Sequence, residues 1–521
     1  MDNLRAHRQG VRGFSWISDV LPGLAIFFVP FFAFLSPFNL KQLPNYDLVL
    51  KIFVSLLFIL LVLFVLYYVV SIVVSKLWNK EIKNLFILFC FGFYLLFFYL
   101  PIRSYLDSYK WYVSLIILLA IWLATVYAAY KFDRVFKRLI LIFAILMLTQ
   151  SIIPTVGYIY NRYLHERPVD QQMAVQFEKS ENLSSSNHNI YYIIVDGMMS
   201  VEEAKQAGIL DKRPVNSVIS KIEDLGLRYI EKSLSSYNIT YLTLYSIFAL
   251  DHFATEDTER YASRWSYFPY GVYGKDATQL PLLSYLEQAN SSLYWGGNDW
   301  ADCKDNLPNW TCIQNDEFRK TLTGLPKFYH TTPIGTMIRL KGDFYRNAME
   351  RFLDQVEGTG LPKKPFFALI HHMSPHSPYM FTETCEELPA NQIDARKGYR
   401  DNYHCALKMI DKFMKKINIL DPGAIVVFQA DHGMNESGVF ESKQVDEPEI
   451  VIARGRIFNA IKAPNSCFEK YGEPKTTVNT MRFVLNCAYG FEFPFRKDSH
   501  YQGFYEDRPD QFGKVFERKI Y

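Results

Sequence analysis

The 521-residue chain lacks an excess of charge of either sign. Its 56 lysines and arginines stand against 53 aspartates and glutamates, a net charge of +3. With no basic bias to read as an electrostatic footprint, no nucleic-acid partner is expected. Cysteine is scarce: there are seven, and no C-x-x-C pair among them, which is the wrong spacing for a thiolate zinc site. Internal repeats and low-complexity tracts are missing as well, so a solenoid or a compositionally disordered chain is excluded.

Long uncharged runs, by contrast, crowd the first 160 residues. They cover roughly 15–36, 48–75, 84–102, 111–130 and 138–157, and most carry no charge over 18 or more residues. At about 1.5 Å per residue such a run crosses a bilayer core of about 30 Å as a helix. Five of them leave no polar face for water, so residues 1–160 are expected to form a five-helix transmembrane domain. The first run is too long for a removable signal and lacks a small-residue cleavage site, which makes it an anchor.

Basic residues set the orientation. Arg5, Arg8 and Arg12 precede the first run, Lys76, Lys80 and Lys83 follow the second, and Lys131, Arg134, Lys137 and Arg138 follow the fourth. The other two loops hold only Lys41, Arg103 and Lys110, with Lys51 at a membrane edge. The positive-inside rule then places the N-terminus in the cytoplasm. An odd number of spans delivers the rest of the chain to the periplasmic or extracytoplasmic side of a bacterial inner membrane.

Cysteine placement agrees. Cys90 lies inside a run, whereas Cys303, Cys312, Cys385, Cys405, Cys467 and Cys487 all fall in the exported part, where disulfides persist. Six cysteines allow fifteen connectivities, and their clustering favours 303–312, 385–405 and 467–487.

Residues 161–187 are polar and mixed and read as a linker or interfacial segment. From 188 to 521 strands and helices alternate. NIYYIIVDG, LRYIEKSL, SSLYWGGND, PFFALIHH and AIVVFQADHG read as strands, and 216–225 and 399–416 as helices. Such alternation predicts a doubly wound, mainly parallel α/β sheet with helices on both faces.

Two of these strands end on acidic residues, at Asp196-Gly197 and at Asp431-His432-Gly433. An isolated Asp-Gly is often only a turn. Two strand ends that each offer a carboxylate, one with an imidazole attached, point instead to a metal at the C-terminal edge of a parallel sheet. Thr240 precedes the helical pattern TYLTLYSIFAL. It reads either as an N-cap or as a nucleophile whose alkoxide is favoured by the helix dipole and a nearby metal. Thr243 and Ser246 on the same face read as packing or hydrogen-bonding residues. HHMSPHSP places His371, His372 and His376 in six residues. His376 is the candidate for a catalytic or second-metal role and His371 for substrate contact, while His372 is the one that points into the core. His500, in KDSHYQGF, is a weaker candidate. The polar-aromatic loop 294–309 offers Trp295, Asn298 and Lys304 for substrate binding.

On these residues the exported part resembles the alkaline phosphatase/sulfatase superfamily, in its membrane-anchored branch of lipid A phosphoethanolamine transferases and lipoteichoic acid synthases. The resemblance implies that Asp196, Thr240, Asp431 and His432 hold one zinc or manganese ion. Thr240, Thr243, Ile247 and Phe248 are similar to the transferases' T-x-x-S and following Met-Phe, and His371, Met373 and His376 to their H-x-M-x-x-H. Two departures stand out. The first acidic ligand is Asp196 rather than glutamate, as in phosphodiesterase and sulfatase relatives. The stretch MNESGVFESKQVDEPE carries no histidine about a dozen residues beyond Asp-His-Gly, which tells against a second metal.

Sulfatases of this superfamily need a C/S-x-P/A-x-R pattern for formylglycine. Here the nucleophile stretch reads Thr240-Tyr-Leu-Thr-Leu, which disfavours sulfate ester hydrolysis. The resemblance implies a phosphotransferase that moves a phosphoethanolamine or phosphoglycerol head group from a membrane phospholipid to a cell-envelope glycan or glycolipid, through a phospho-threonine. The alternatives are a membrane-anchored phosphodiesterase or other hydrolase, and a non-catalytic envelope-assembly module.

Overall fold

The computed structural model describes residues 21–29, 32, scattered positions between 54 and 69, 85–97, 111–164, 188–210, 213–252, 254–256, 281–297, 310–313, 348–361, 365–377, 379–386, 394–434, 448–503 and 514–520. The chain divides into two compact units, Met1–Arg167 with Glu317–Lys341, and Pro168–Asp316 with Gly342–Tyr521.

In the first unit the apolar runs are helical wherever they are described. Residues 21–29 are helical, followed by α1 (Leu85–Phe97), α2 (Trp111–Lys131) and α3 (Asp133–Leu164). Their buried side chains, among them Ile26, Phe27, Cys90, Phe93 and Ala144, form a core of their own. Large apolar side chains such as Leu119, Leu123, Leu139, Leu146 and Ile153 stay exposed. Among the described residues, no helix is long and apolar enough to cross a membrane. The expected linker lies mostly outside the described residues, and α3 extends into its first four positions.

The second unit is an α/β domain around a mixed seven-stranded sheet. Its strands are β1 (Ile190–Val195), β2 (Arg228–Tyr229), β3 (Ser292–Gly296), β4 (Trp310–Ile313), β5 (Phe366–His372), β6 (Ile425–Gln429) and β7 (Asn459–Lys462). The spatial order is β2-β7-β6-β1-β5-β3-β4. The pairings β6-β1-β5-β3-β4 are parallel, and β7 runs antiparallel to both β6 and β2. The central strands are fully buried apolar runs, as expected of a sheet covered on both faces. A two-stranded antiparallel ribbon, β8 (His500–Gly503) with β9 (Val515–Arg518), lies apart from the sheet.

Alternation along each strand separates two cores. On one face Tyr191, Ile193, Val195, Ala368 and Ile370 pack with α4 (Val201–Gln206), α5 (Val215–Glu223), α8 (Ala348–Thr359) and α9 (Ala395–Leu420). On the other, Tyr192, Ile194, Phe367 and Leu369 pack with α6 (Thr240–Ala249), α7 (Pro281–Gln288), α11 (Asn465–Tyr471) and α12 (Thr477–Tyr489). The remaining helix, α10 (Pro448–Gly455), follows β6 in the chain.

Two expectations are corrected in detail. The strand read in LRYIEKSL shrinks to Arg228–Tyr229, because Lys232 turns the chain with a φ of 57°. The sheet also carries an antiparallel strand, β7, whose four residues give no periodic signal. Two disulfides pair as the clustering suggested, Cys385–Cys405 and Cys467–Cys487. Cys312 is disulfide-bonded, and Cys303 lies outside the described residues.

Candidate functional site

Three neighbouring strands, β6, β1 and β5, end side by side, and each contributes to one cluster. Asp196 follows β1 directly, and its N–H donates to the His372 carbonyl across the strand gap at 2.9 Å. His371 is the penultimate residue of β5. Asp431 stands two residues beyond Gln429, the last residue of β6. Asp196 and His371 lie two positions past Ile194 and Leu369, so strand alternation turns both toward the face that α6 covers.

Thr240 is the first residue of α6. The N-cap is Ile239, in extended conformation and without a side-chain bond, so the threonine hydroxyl is not used in capping. It lies 2.9 Å from His432 Nε2. Nδ1 of His432 donates to the Gly433 carbonyl at 2.6 Å, which leaves the Nε2 lone pair to accept from the hydroxyl. The same nitrogen is 3.5 Å from Asp431 Oδ2 and 3.7 Å from Asp196 Oδ1. His371 Nε2 is 3.5 Å from Asp196 Oδ2. His376 is half-buried. Its ring centroid is 6.0 Å from that of His432, its Nδ1 donates to the Ser377 carbonyl at 2.6 Å, and its amide donates to the Asp196 carbonyl at 3.0 Å.

Both Asp196 oxygens and Asp431 Oδ2 are buried and meet no conventional hydrogen-bond donor among the described residues. Asp431 Oδ1 accepts from the Gly197 amide at 3.1 Å. Burial pushes the Asp196 carboxyl well up, and the Asp431 charge adds to it. Burial works the same way on Asp431, but His432, His371 and the Gly197 amide outweigh it and hold that carboxyl low. Two like charges in one buried site divide in this manner. Burial pushes His371 down to about 4 and lowers His432.

A divalent cation fits this donor set. Ligand atoms of Asp196, His376 and His432 lie within 4.8 Å of one another, as do those of Asp196, His371 and Asp431. Buried carboxylates with no lysine or arginine paired to them among the described residues are costly unless a cation shares the site. Imidazoles whose Nδ1 donates to a backbone carbonyl, as in His432 and His376, present Nε2 as a metal ligand.

The remaining sequence candidates divide. Thr243 Oγ1 donates to the Tyr237 carbonyl at 2.8 Å and Ser246 Oγ to the Thr243 carbonyl at 2.7 Å, both buried inside α6 packing. His372 faces the opposite layer, 1% exposed, and burial with the charges of His371 and Arg351 pushes it down to about 3. Trp295, expected to bind substrate, is also 1% exposed and packs on Phe248 at 5.4 Å. Its place on β3 turns it into the core, which corrects the expectation for that residue. Asn298 and Lys304 lie outside the described residues. His500 is buried, with Nδ1 donating to the Ser235 carbonyl at 2.7 Å.

Sequence reasoning missed two supports. The Ser235 hydroxyl contacts the Asp431 carbonyl, and nothing in a serine pair marks that. Gly433 donates its amide to the Arg454 carbonyl at 2.7 Å, and a Cβ there would come within 1.8 Å of the Ala453 carbonyl oxygen. Gly197, with φ of 72°, turns the chain under His376 as its position suggested.

A hydroxyl at a helix N-terminus, facing paired carboxylates and imidazoles at the C-terminal edge of a largely parallel sheet, is an arrangement suited to metal-assisted chemistry on an ester. Residues 245–453 match the sequence model of the family described as Sulfatase. The resemblance expected from the sequence is thus met by a family match over that segment. The matched segment includes His371, His376, Asp431 and His432 and begins after Thr240. No curated protein matches the chain. Similar solved structures include the C-terminal periplasmic domain of EcEptC from Escherichia coli, at 13% identity over 64% of this chain and 94% of that one, with a TM-score of 0.41. The integral membrane protein lipooligosaccharide phosphoethanolamine transferase A (EptA) from Neisseria meningitidis is also 13% identical, over 76% and 78%, with a TM-score of 0.41. The lipoteichoic acid synthase LtaP from Listeria monocytogenes is 14% identical over 58% and 72%, with a TM-score of 0.34.

Proposed function

We propose that this protein is a membrane-anchored phosphotransferase that moves a phospholipid head group, phosphoethanolamine or phosphoglycerol, to an envelope glycan or glycolipid. The observation that carries the reading is the Thr240 hydroxyl at a helix N-terminus, 2.9 Å from His432 Nε2 and beside two donor-poor carboxylates. Asp196, Asp431 and His432, with Thr240 itself, would hold one zinc or manganese ion. When bound, the ion lowers the hydroxyl pKa and offsets charge on the phosphoryl oxygens.

His376 accepts the Thr240 proton as Oγ1 attacks phosphorus, and the α6 amides favour the anionic phosphoryl group. The P–O bond to the diacylglycerol breaks, and His376 passes that proton to the departing alkoxide. The head group stays on Thr240 as a phosphodiester. An acceptor hydroxyl then attacks phosphorus and gives its proton to His376, which returns it to Thr240 as the bond to Oγ1 breaks. Asp196 in place of glutamate favours a second reading, in which water replaces the glycan and the protein is a phosphodiesterase. The uncharged N-terminal runs and the exposed apolar side chains of α2 and α3 support a lipid-facing anchor, with the second unit outside the cytoplasm and the donor in the same bilayer.

Peptide mass spectrometry of the purified full chain after incubation with mixed phospholipids tests this, with Thr240→Ala as control. A phosphoethanolamine or phosphoglycerol adduct on Thr240 is expected. An unmodified Thr240 in a chain that binds no metal overturns it.

A further inference from the structure

His376 sits on a loop rather than on a strand, so something must hold that loop against the site. From His372 to Glu386 the chain leaves β5 and runs beside α9, and its ties converge on one side chain. Asn402, 1% exposed on α9, donates through Nδ2 to the Phe381 carbonyl at 3.0 Å and to the Gly398 carbonyl of its own helix at 2.8 Å. Its Oδ1 accepts from the Met380 amide at 3.3 Å, and its carbonyl accepts from the Ser374 hydroxyl at 3.3 Å. It therefore grips the loop on both sides of His376.

Neighbouring residues of α9 extend the grip. Tyr399 donates to the Gly197 carbonyl at 2.8 Å and accepts from the Met199 amide at 3.1 Å, next to Asp196. Cys405 closes the far end of the loop through its disulfide to Cys385. The helix thus ties the turn after Asp196 and the loop of His376 to one rigid element.

We propose that Asn402 is a positioning residue that sets where His376 stands relative to Asp196 and His432. The inference rests on the proposed function and adds to it that His376, whose ring nitrogen is grouped with ligand atoms of Asp196 and His432, contributes to the hold on the ion in the substrate-free site. A buried amide with all its bonds made can fix such a loop, and leaving its partners unpaired frees the loop at a cost.

The test uses the full chain, with two readouts that need no turnover: Mn2+ affinity by titration, and hydrogen exchange of the peptide spanning His376 in metal-free protein. Asn402→Ala is expected to weaken Mn2+ binding about ten- to hundredfold and to speed exchange of that peptide. His376→Ala should cause a similar loss of affinity, and the double variant no further loss. Asn402→Asp, which keeps the size and the acceptor but not the two donated bonds, should fall between, and it carries the test if the alanine variant does not fold. Asn418→Ala removes a donated bond from the same helix to the Leu225 carbonyl and should leave both readouts unchanged. Unaltered exchange in Asn402→Ala and Asn402→Asp, or additive losses in the double variant, overturn the proposal. Should His376→Ala alone leave Mn2+ binding intact, the role given to His376 fails, while the exchange data still judge Asn402.

Discussion

The two edges of the sheet each bury aspartate, and they treat it in opposite ways. At the N-terminal edge Asp421, just ahead of β6, is 2% exposed and accepts from Asn189 Nδ2 at 2.5 Å and from the Tyr191 hydroxyl at 3.1 Å. At the C-terminal edge Asp196 and Asp431 are 0% exposed, yet three of their four oxygens meet no such donor. Burial alone does not distinguish a structural carboxylate from a working one. What distinguishes them is whether the protein itself completes the shell. Asp421 is satisfied by neutral groups and ties β1 to the end of α9, while on the proposed reading an ion completes the other edge.

Substitution should separate the edges most sharply. Asp196→Asn and Asp431→Asn are each expected to reduce metal affinity by at least a hundredfold, as measured by titration. In metal-free protein Asp196→Asn should raise the melting temperature by removing a carboxyl whose charge burial disfavours, whereas Asp431→Asn, which removes a carboxylate held low by its neighbours, should not. A lowered melting temperature in Asp196→Asn would place that residue in the same category as Asp421. Asp421→Ala should do the reverse, leaving metal binding unchanged while costing roughly 3 kcal/mol in denaturant unfolding, since Asn189 and Tyr191 lose their acceptor.

Acid should act more gently. His372 and His500 are held neutral, with pKa values near 3 and near 4 in the fold against an ordinary value of 6.5, chiefly through burial. The unfolded chain binds more protons at both between those limits, so stability rises with pH across the window. Their contribution is complete above about pH 6.5 and is lost as pH falls toward 4, which melting curves across that range would register. The smallest effect belongs to Thr243→Val. Its hydroxyl donates to the Tyr237 carbonyl at 2.8 Å and lies 3.3 Å from Ser235 Oγ, so a loss of about 1 kcal/mol with little change in metal affinity is expected.

The parts of this layout that were legible in the sequence share one property: the local chain states its own environment. NIYYIIVDG, PFFALIHH and AIVVFQADHG are apolar without alternation because both sheet faces are covered, and each run stops where the covering stops. Asp196, His371 and Asp431 are therefore legible at one edge from the sequence alone. The helix start at Thr240 was legible for the same reason. Where tertiary packing decides, the sequence is silent. The four residues of β7 are too short for a period. Trp295 stands among polar loop residues and was read with them, although its own position is the last but one of a strand. Asn402 looks like any polar residue of an amphipathic helix until the loop it holds is seen beside it.

The glycine of Asp-His-Gly bears on how such a motif is read at all. A side chain at Gly433 would run into the Ala453 carbonyl oxygen, twenty residues further along. The third letter of the motif is thus written by the end of α10 pressing on the strand terminus, and not by the chemistry of the first two. A chain could keep Asp and His and lose the glycine if that helix were moved aside. Conversely, a grafted Asp-His pair without this close backing would lack the bond from the Gly433 amide to the Arg454 carbonyl that fixes the turn after the histidine.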